Sequence, residues 1–266
     1  MNFDAETFAN EAGTVVVTWP SHGHARLLLQ RPAHHNALGL DELAGLSDAA
    51  QYLQNKQPKV VSILADSPNF SVGGDIKAFS QAISHDNLEN WLRTAIGHFN
   101  SAISQLRNLD AAVVVGVQGA SAGGALGLIW CADHVILTED ASISMAYAKL
   151  GGSPDGGTSW LLPRMVNPLR AFEMFTLMSS LKAKQAMDWG LANQLVTRAD
   201  LGHSVDEVAK NWLALPSQSL KNIKQLLRSA PSQDLQTHLA QELEGFVSAG
   251  KQAEFKQRVL KFAKAP

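Results

Sequence analysis

Hydrophobic positions in the first half of the chain switch between two periods. Short apolar or β-branched runs predict strands, and apolar residues at helical spacing predict amphipathic helices. The two kinds of segment follow one another in alternation, which favours a layered α/β architecture with functional loops at the strand ends. The predicted strands are residues 14–19, 25–30, 59–65 and 111–117, and the predicted helices are residues 40–53 and 87–106.

The pattern becomes mainly helical after about residue 165. We therefore expect a core at residues 1–200, followed by a helical C-terminal region at residues 201–266. The helices predicted in this half are residues 171–178, 183–189, 205–214 and 219–227, and one long final helix over residues 233–264.

The composition is that of a globular protein without a nucleic-acid partner. Hydrophobic residues make up 45% of the 266 residues and charged residues 17%, which argues against disorder. With 22 Lys and Arg against 24 Asp and Glu, the net charge of −2 provides no field that would hold a polyanion. Any anionic ligand must therefore be bound by a local patch.

Several features point to a reducing, cytoplasmic location. The single cysteine, Cys131, cannot form an intramolecular disulfide, and its apolar surroundings predict a buried structural role. The N-terminus resembles neither a secretory signal nor a transit peptide, and no apolar stretch reaches 18 residues, so no membrane span is expected. The nine histidines lack ligand spacing, so no metal is expected, and no G-x-G-x-x-G follows a strand to suggest a redox nucleotide.

Three glycine-containing turns are candidates for chemistry: FSVGGDIK at 70–77, QGASAGGA at 118–125 and LGGSPDGGT at 150–158. Glycine lets a backbone approach a ligand closely and adopt positive φ. Each turn alone is also explained by the steric needs of a tight loop. Their joint occurrence favours a binding site.

Five segments together resemble the crotonase (enoyl-CoA hydratase/isomerase) family in order and spacing. They are RPAHHNAL at 31–38, FSVGGDIKAF at 70–79, AAVVVGVQGASAGG at 111–124, LGGSPDGGTSWLLPR at 150–164 and AMDWGLANQLV at 186–196. The resemblance implies an α/β fold built as a spiral of ββα units, with the acyl-CoA site in residues 1–200. It also implies that the helical residues 201–266 pack subunits into a homotrimer or a hexamer.

The resemblance implies that the substrate is a coenzyme A thioester and that no cofactor is tightly bound. By motif position, the backbone N–H groups of Gly74 and Gly124 would stabilise the negative charge that develops on the thioester oxygen. Preorganised donors in a dry site contribute a few kcal/mol each. Gly124 also begins an apolar helix, whose dipole would add to the effect.

The carboxylates depart from the family's pattern. Two glutamates serve the hydratases, and the matching positions here are Gly127 and Tyr147, neither of which shuttles protons near neutral pH. Asp155 instead occupies the position at which several isomerases and an aryl-CoA dehalogenase of the family carry a catalytic aspartate. One carboxylate in an apolar pocket can pass a proton from carbon to carbon, which moves a double bond. We therefore predict an enoyl-CoA isomerase, although Pro-Asp-Gly is also a good turn sequence.

Further site residues follow from the resemblance, each with a structural alternative. Tyr147 could orient substrate or water, or only pack, and His98 lies on the helix that supplies a histidine base in the dehalogenases, or is structural. The candidates for holding coenzyme A are Arg31, Asp75, Ile76 and Lys77, with Phe255 and Arg258 from the last helix of a neighbouring subunit. The basic final helix is equally consistent with a solvated face.

Other functions remain open at this point. A hydratase or a dehalogenase-like enzyme would use the same oxyanion site, and a non-catalytic acyl-CoA-binding member would lack turnover. Gly119-Ala-Ser-Ala-Gly123 also matches the G-x-S-x-G of serine hydrolases, with Ser121 as nucleophile. That hypothesis leaves four of the five segments unexplained.

Overall fold

The computed structural model of the chain describes residues 6–178 and 180–264. Within these residues the strands form a larger and a smaller sheet. The strands are β1 (Phe8–Ala9), β2 (Val15–Ser21), β3 (His24–Leu29), β4 (Val60–Ala65), β5 (Ala112–Val117), β6 (Ala120–Ala122), β7 (His134–Thr138), β8 (Ser142–Ser144), β9 (Leu181–Lys182) and β10 (Gln194–Val196).

Helices connect the strands and make up the C-terminal part of the described chain. They are α1 (Leu40–Lys56), α2 (Ile76–Ser84), α3 (Leu88–Asn108), α4 (Ala125–Trp130), α5 (Tyr147–Leu150), α6 (Thr158–Met165), α7 (Pro168–Thr176), α8 (Ala183–Asp188), α9 (Leu201–Leu213), α10 (Ser217–Ser229), α11 (Leu235–Lys251) and α12 (Ala253–Phe262). No helix within residues 6–178 and 180–264 is both long and apolar enough to cross a membrane.

The larger sheet has the order β1-β2-β3-β4-β5-β7-β10. Strands β1 to β3 are antiparallel, and the pairs from β3 onwards are parallel. A parallel sheet is covered on both faces, which is why β5 is an unbroken apolar run: all six of its residues are buried. The smaller sheet, β6-β8-β9, lies next to the carboxyl end of β5, where the chain passes directly from β5 into β6.

Helices cover the two faces of the larger sheet. The main core joins the apolar side chains of α1 and α3 to those of the strands. On the other face, Leu201 and Val205 of α9 pack against β5, β7 and β10. Gly116 permits this close approach, since a Cβ there would lie 2.9 Å from Val205 Cγ2. The α/β prediction is therefore confirmed, and Cys131 is buried, which raises the pKa of its thiol to about 12.

The predicted long final helix is wrong. The chain breaks at Gln252, whose extended backbone (φ −74°, ψ 139°) separates α11 from α12. The break lets Phe255 pack edge-on against Phe246, with ring centroids 5.7 Å apart, so the gain is an aromatic contact between the two helices. The predicted division at residue 200 stays a prediction. Helix α9, which begins just beyond it, covers a face of the main sheet.

Candidate active site

Two of the glycine-containing loops run side by side at the carboxyl ends of β4 and β5. Ser71 and Ser121 form an isolated parallel bridge. Ala122 N donates to Ser71 O at 3.0 Å, and Ser71 N donates to Ala120 O at 3.4 Å. The backbone itself therefore joins the loop of Gly74 to the loop of Gly124.

The approach of the two loops depends on glycine at position 73. Gly73 has φ +84°, a conformation that L side chains rarely adopt, and a Cβ there would lie 2.6 Å from Ala122 O. A second bridge fixes the next residue: Leu38 N donates to Gly73 O at 2.8 Å, and Asp75 N donates to Leu38 O at 3.1 Å. In such a parallel bridge the N–H of Gly74 points away from Leu38.

Gly124 is the residue immediately before α4, a short helix whose six residues are all buried. The first N–H groups of a helix have no intrahelical acceptor. Within residues 6–178 and 180–264, neither Gly74 N nor Gly124 N donates to a protein acceptor. Both amides are thus available to a ligand oxygen.

Asp155 lies beside Gly124. A Cβ added to Gly124 would lie 2.9 Å from Asp155 Oδ1 and 3.1 Å from Cε1 of Phe99. The loop that carries Asp155 also comes so close to α4 that a side chain at Gly127 would collide with Gly156 O. The space that a glutamate side chain would need at position 127 is therefore filled by the backbone of Gly156.

Tyr147 and Thr158 hold Asp155 from two sides. The Tyr147 hydroxyl donates to Asp155 Oδ1 at 2.8 Å and lies 3.3 Å from Thr158 Oγ1. Thr158 Oγ1 in turn donates to the backbone oxygen of Asp155 at 2.9 Å. The sequence had placed Tyr147 in the site, but not in contact with the aspartate.

The surroundings perturb both titratable groups. Burial raises the pKa of Asp155, and the hydrogen bond from Tyr147 offsets part of that rise. Burial and the charge of Asp155 raise the pKa of Tyr147, so its hydroxyl keeps its proton and acts as the donor. A carboxyl group whose pKa is raised towards neutrality suits proton transfer.

Phe99 of α3 lies next to the loops that carry Gly124 and Asp155. The Phe99 ring approaches the backbone of Gly124 and Gly156, and its side chain is buried. His98 is half-buried on the same helix, and successive helical residues point about 100° apart. The role of His98 as a base stays a prediction. Phe99, which the sequence analysis does not name, is the α3 residue that lies close to Gly124 and Gly156.

Arg31 and Asp75 form an ion pair next to Gly74. Arg31 Nη1 lies 2.8 Å from Asp75 Oδ2 and donates to Ala37 O at 2.9 Å. Asp75 also accepts from the backbone of Lys77 and caps α2. Although burial raises the pKa of Asp75, the hydrogen bonds from Arg31 and from α2 bring it below its ordinary value. Ile76 is 54% exposed, and the coenzyme A contacts of all these residues stay predictions.

Phe255 and Arg258 lie at the other end of the sheet from the two loops. Arg258 Nη2 donates to Ala214 O at 2.9 Å. The adjacent Leu213 O accepts from Lys59, which lies just before β4. The loops of the site follow β4 and β5 at their opposite ends. The predicted contact of Phe255 and Arg258 with the coenzyme A of a neighbouring subunit stays a prediction.

Ser121 does not occupy a nucleophile elbow. It lies within β6, is 1% exposed, and its Oγ has no hydrogen-bond partner among the described residues. A serine nucleophile needs an exposed Oγ bonded to a base. The geometry rejects the serine-hydrolase hypothesis.

Comparisons with known proteins find similar chains. A 1,2-epoxyphenylacetyl-CoA isomerase of Escherichia coli (strain K12) is 34% identical over 164 residues, which cover 62% of this chain and 63% of that relative. A 4-chlorobenzoyl coenzyme A dehalogenase-2 of Arthrobacter sp is 24% identical over 241 residues, covering 90% of this chain and 87% of the relative.

Solved structures show the same fold. An enoyl-CoA hydratase from Polaromonas sp. JS666 matches with a TM-score of 0.87 and 26% identity, covering 94% of this chain and 96% of that one. A protein of Thermobifida fusca YX, solved in complex with acetoacetyl-CoA, matches with a TM-score of 0.79 and 25% identity, covering 89% and 94%. The family model for enoyl-CoA hydratase/isomerase matches residues 21–265. The chain belongs to the enoyl-CoA hydratase/isomerase family, within the crotonase superfamily.

Proposed function

We propose that the protein is an enoyl-CoA isomerase, which moves a carbon–carbon double bond through a thioester enolate. The observation that carries the proposal is the place of the Asp155 carboxylate. Asp155 lies beside Gly124, and the backbone of Gly156 fills the space that a glutamate at Gly127 would need. One carboxylate suffices to move a proton between two carbons of the same chain.

The two free amides supply the electrostatic part of the mechanism. The thioester oxygen of the substrate would accept hydrogen bonds from Gly74 N and Gly124 N, which would stabilise the charge that forms there. Both amides belong to loops joined by backbone hydrogen bonds, so they are oriented before substrate arrives. The acetoacetyl-CoA complex of the Thermobifida relative supports a coenzyme A thioester as ligand.

Asp155 would act first as base and then as acid. Its carboxylate removes a proton from the carbon next to the thioester, and the electrons of that C–H bond move into the enolate. As the enolate collapses, the double bond nearer the tail shifts towards the thioester, and the carbon two positions further out takes the proton back. Burial raises the pKa of Asp155, which makes its carboxylate a stronger base than that of an exposed aspartate and so favours the first step.

A dehalogenase-like reaction on an aryl-CoA is the second candidate, since the Arthrobacter relative covers 90% of the chain. There the carboxylate of Asp155 would attack the ring carbon that bears the halogen and displace halide, which gives an aryl ester. Water, activated by a base, would then hydrolyse that ester. The α3 side chain that approaches Gly124 and Gly156, on either side of the site, is Phe99, which is no base. A non-catalytic acyl-CoA-binding member would bind the thioester without any turnover.

The assembly is part of the proposal. Leu169 and Phe172 of α7 are 85% and 69% exposed, and Leu227 of α10 and Phe246 of α11 are 72% and 70% exposed. Such apolar residues on the outer helices fit the predicted homotrimer or hexamer, in which a neighbouring α12 would bring Phe255 and Arg258 to the coenzyme. The predicted cytoplasmic location is retained on the sequence argument alone.

Side-by-side assays of 3-enoyl-, 2-enoyl- and 4-halobenzoyl-CoA test the proposal. We expect conversion of 3-enoyl- to 2-enoyl-CoA as the main activity, and a loss of about 10²–10⁴-fold in kcat for Asp155→Asn. Asp188→Asn is the matched control, because that carboxylate is exposed and its ion-pair partner among the described residues is Lys184 of its own helix. Water addition as the main activity, or a fully active Asp155→Asn, would refute the isomerase.

A further inference from the structure

The hydrogen bond between Tyr147 and Asp155 has features of a built contact. The Tyr147 ring is half-buried and its centroid lies 6.1 Å from that of Phe175 in α7, so the ring is held by packing. The residue before it, Ala146, has φ +52°, which is costly for a residue other than glycine. The turn that presents the hydroxyl at Asp155 is therefore maintained by the surrounding structure at some cost.

Four groups of the described chain lie next to Asp155 or its loop. They are Tyr147 from α5, Thr158 from α6, Gly124 at the start of α4, and Phe99 from α3, whose ring approaches Gly124 and Gly156. Of these groups, within the part of the chain that the structure describes, Tyr147 is the one that titrates and the one that donates to the carboxylate. Asp155 Oδ2 accepts no hydrogen bond from the described residues.

We infer that Tyr147 is the positioning residue of the proton carrier: its hydroxyl fixes Asp155 beside Gly124 and stabilises the ionised carboxylate. The inference rests on the proposed function, in which Asp155 moves the proton. A hydrogen bond to a charged oxygen favours the charged form, whereas burial favours the neutral acid. Tyr147 thus keeps a buried carboxyl group available as a base, and leaves Oδ2 free to take the proton.

The pH dependence of Tyr147→Phe tests the inference by turnover. The variant keeps the ring and its packing on Phe175, and removes one hydroxyl. Without the donor the pKa of Asp155 rises, so the acid limb of kcat/KM moves to higher pH. At low pH we expect a loss of about tenfold or more, the factor that one hydrogen bond to a charged group provides, and a smaller loss as the pH rises. A uniform loss at every pH would overturn the inference.

Tyr52→Phe is the matched control. The chain has two tyrosines, and Tyr52 lies in α1, where its hydroxyl accepts from Trp19 Nε1 at 3.1 Å. Tyr52→Phe should keep the wild-type pH profile. A shift of the acid limb of the same size in both variants would overturn the inference, because the effect would then not depend on contact with Asp155.

Nuclear magnetic resonance separates this inference from the proposed function. In protein labelled with [¹³Cζ]tyrosine two signals are expected, and Tyr52→Phe assigns them. The Tyr147 signal should shift as Asp155 titrates, and Asp155→Asn should abolish that inflection while leaving the Tyr52 signal unchanged. A wild-type Tyr147 signal with no such inflection would overturn the inference. An intact inflection in a protein without isomerase turnover would support the tyrosine–aspartate pair and refute the proposed function alone.

Discussion

The two halves of the site are held in place by different interactions. On the side of Gly74 and Gly124, backbone hydrogen bonds join the loops, and Gly73 makes their approach possible. On the side of Asp155, two hydroxyl groups fix one side chain and its backbone. A backbone device tolerates changes of neighbouring side chains but not an added Cβ. A side-chain device fails when a single hydroxyl is lost.

Among variants that leave Asp155 unchanged, the largest loss of activity should follow from Gly73→Ala. A Cβ there would lie 2.6 Å from Ala122 O and the φ of +84° would be strained, so the two loops must separate. Removing one oxyanion donor costs about 10²–10³-fold in kcat, and we expect a loss of that order in isomerase assays. Gly123→Ala is the control, because its φ is also positive but no atom lies within 4 Å of the added Cβ. Equal losses in both variants would contradict the role of loop contact.

Gly127→Ala should have the next largest effect. Its Cβ would collide with Gly156 O and displace the loop of Asp155. Overpacking of this kind costs about 1–3 kcal/mol of stability, which denaturant unfolding would measure, and kcat should fall with it. Gly97→Ala on α3 has open space and should be neutral or stabilising by up to about 1 kcal/mol. An unchanged Gly127→Ala enzyme would show that the loop is not fixed there.

A smaller effect is expected for Arg31→Lys, because the shorter ammonium group cannot take the position of Nη1, the nitrogen that donates to both Asp75 and Ala37. If Arg31 holds the start of α2 next to Gly74, kcat should fall several-fold with little change in KM. Such a fall corresponds to roughly 1 kcal/mol of activation free energy. Steady-state kinetics with varied acyl-CoA distinguishes the two roles. A raised KM at constant kcat would instead support the coenzyme contact that the sequence predicts for Arg31.

The smallest effect concerns stability. Because burial raises the pKa of Asp155 in the folded state, the native protein binds that proton more tightly than the unfolded chain does. The associated stability is present below the unfolded pKa and is lost as pH rises through the folded pKa. Asp155→Asn should therefore unfold at higher denaturant concentration than wild type at pH 8, and the advantage should shrink towards pH 4. A larger advantage at pH 4 than at pH 8 would contradict the buried charge.

The sequence predicted more of the backbone side than of the side-chain side. Gly74 and Gly124 lie in motifs whose order alone suggested that their loops meet. The bond between Tyr147 and Asp155 was not predictable, since it depends on the unusual φ of Ala146 and on how α5 and α6 pack. The sequence also does not determine which residue of α3 points towards the site. Periodicity predicts the helix, but not that Phe99 is the residue that approaches Gly124 and Gly156.

Elements were missed for related reasons. Helix α2 begins directly after the glycine turn, and its start depends on capping by Asp75, a residue we had assigned to coenzyme binding. The break at Gln252 contains no proline. Gly250, two residues before it, is a weak indication of a helix end, because a single glycine is tolerated inside a helix. The cap of α2 is a local signal that a search for apolar periodicity does not detect, whereas the contact between Phe246 and Phe255 at the break is a tertiary one.

A crystal structure with an unreactive acyl-CoA tests the central claim most directly. We expect the thioester oxygen at about 2.7–3.1 Å from both Gly74 N and Gly124 N, and the Asp155 carboxylate within reach of both the carbon next to the thioester and the carbon two positions further out. A thioester oxygen bound away from either amide, or an Asp155 that reaches only one of the two carbons, would contradict the account.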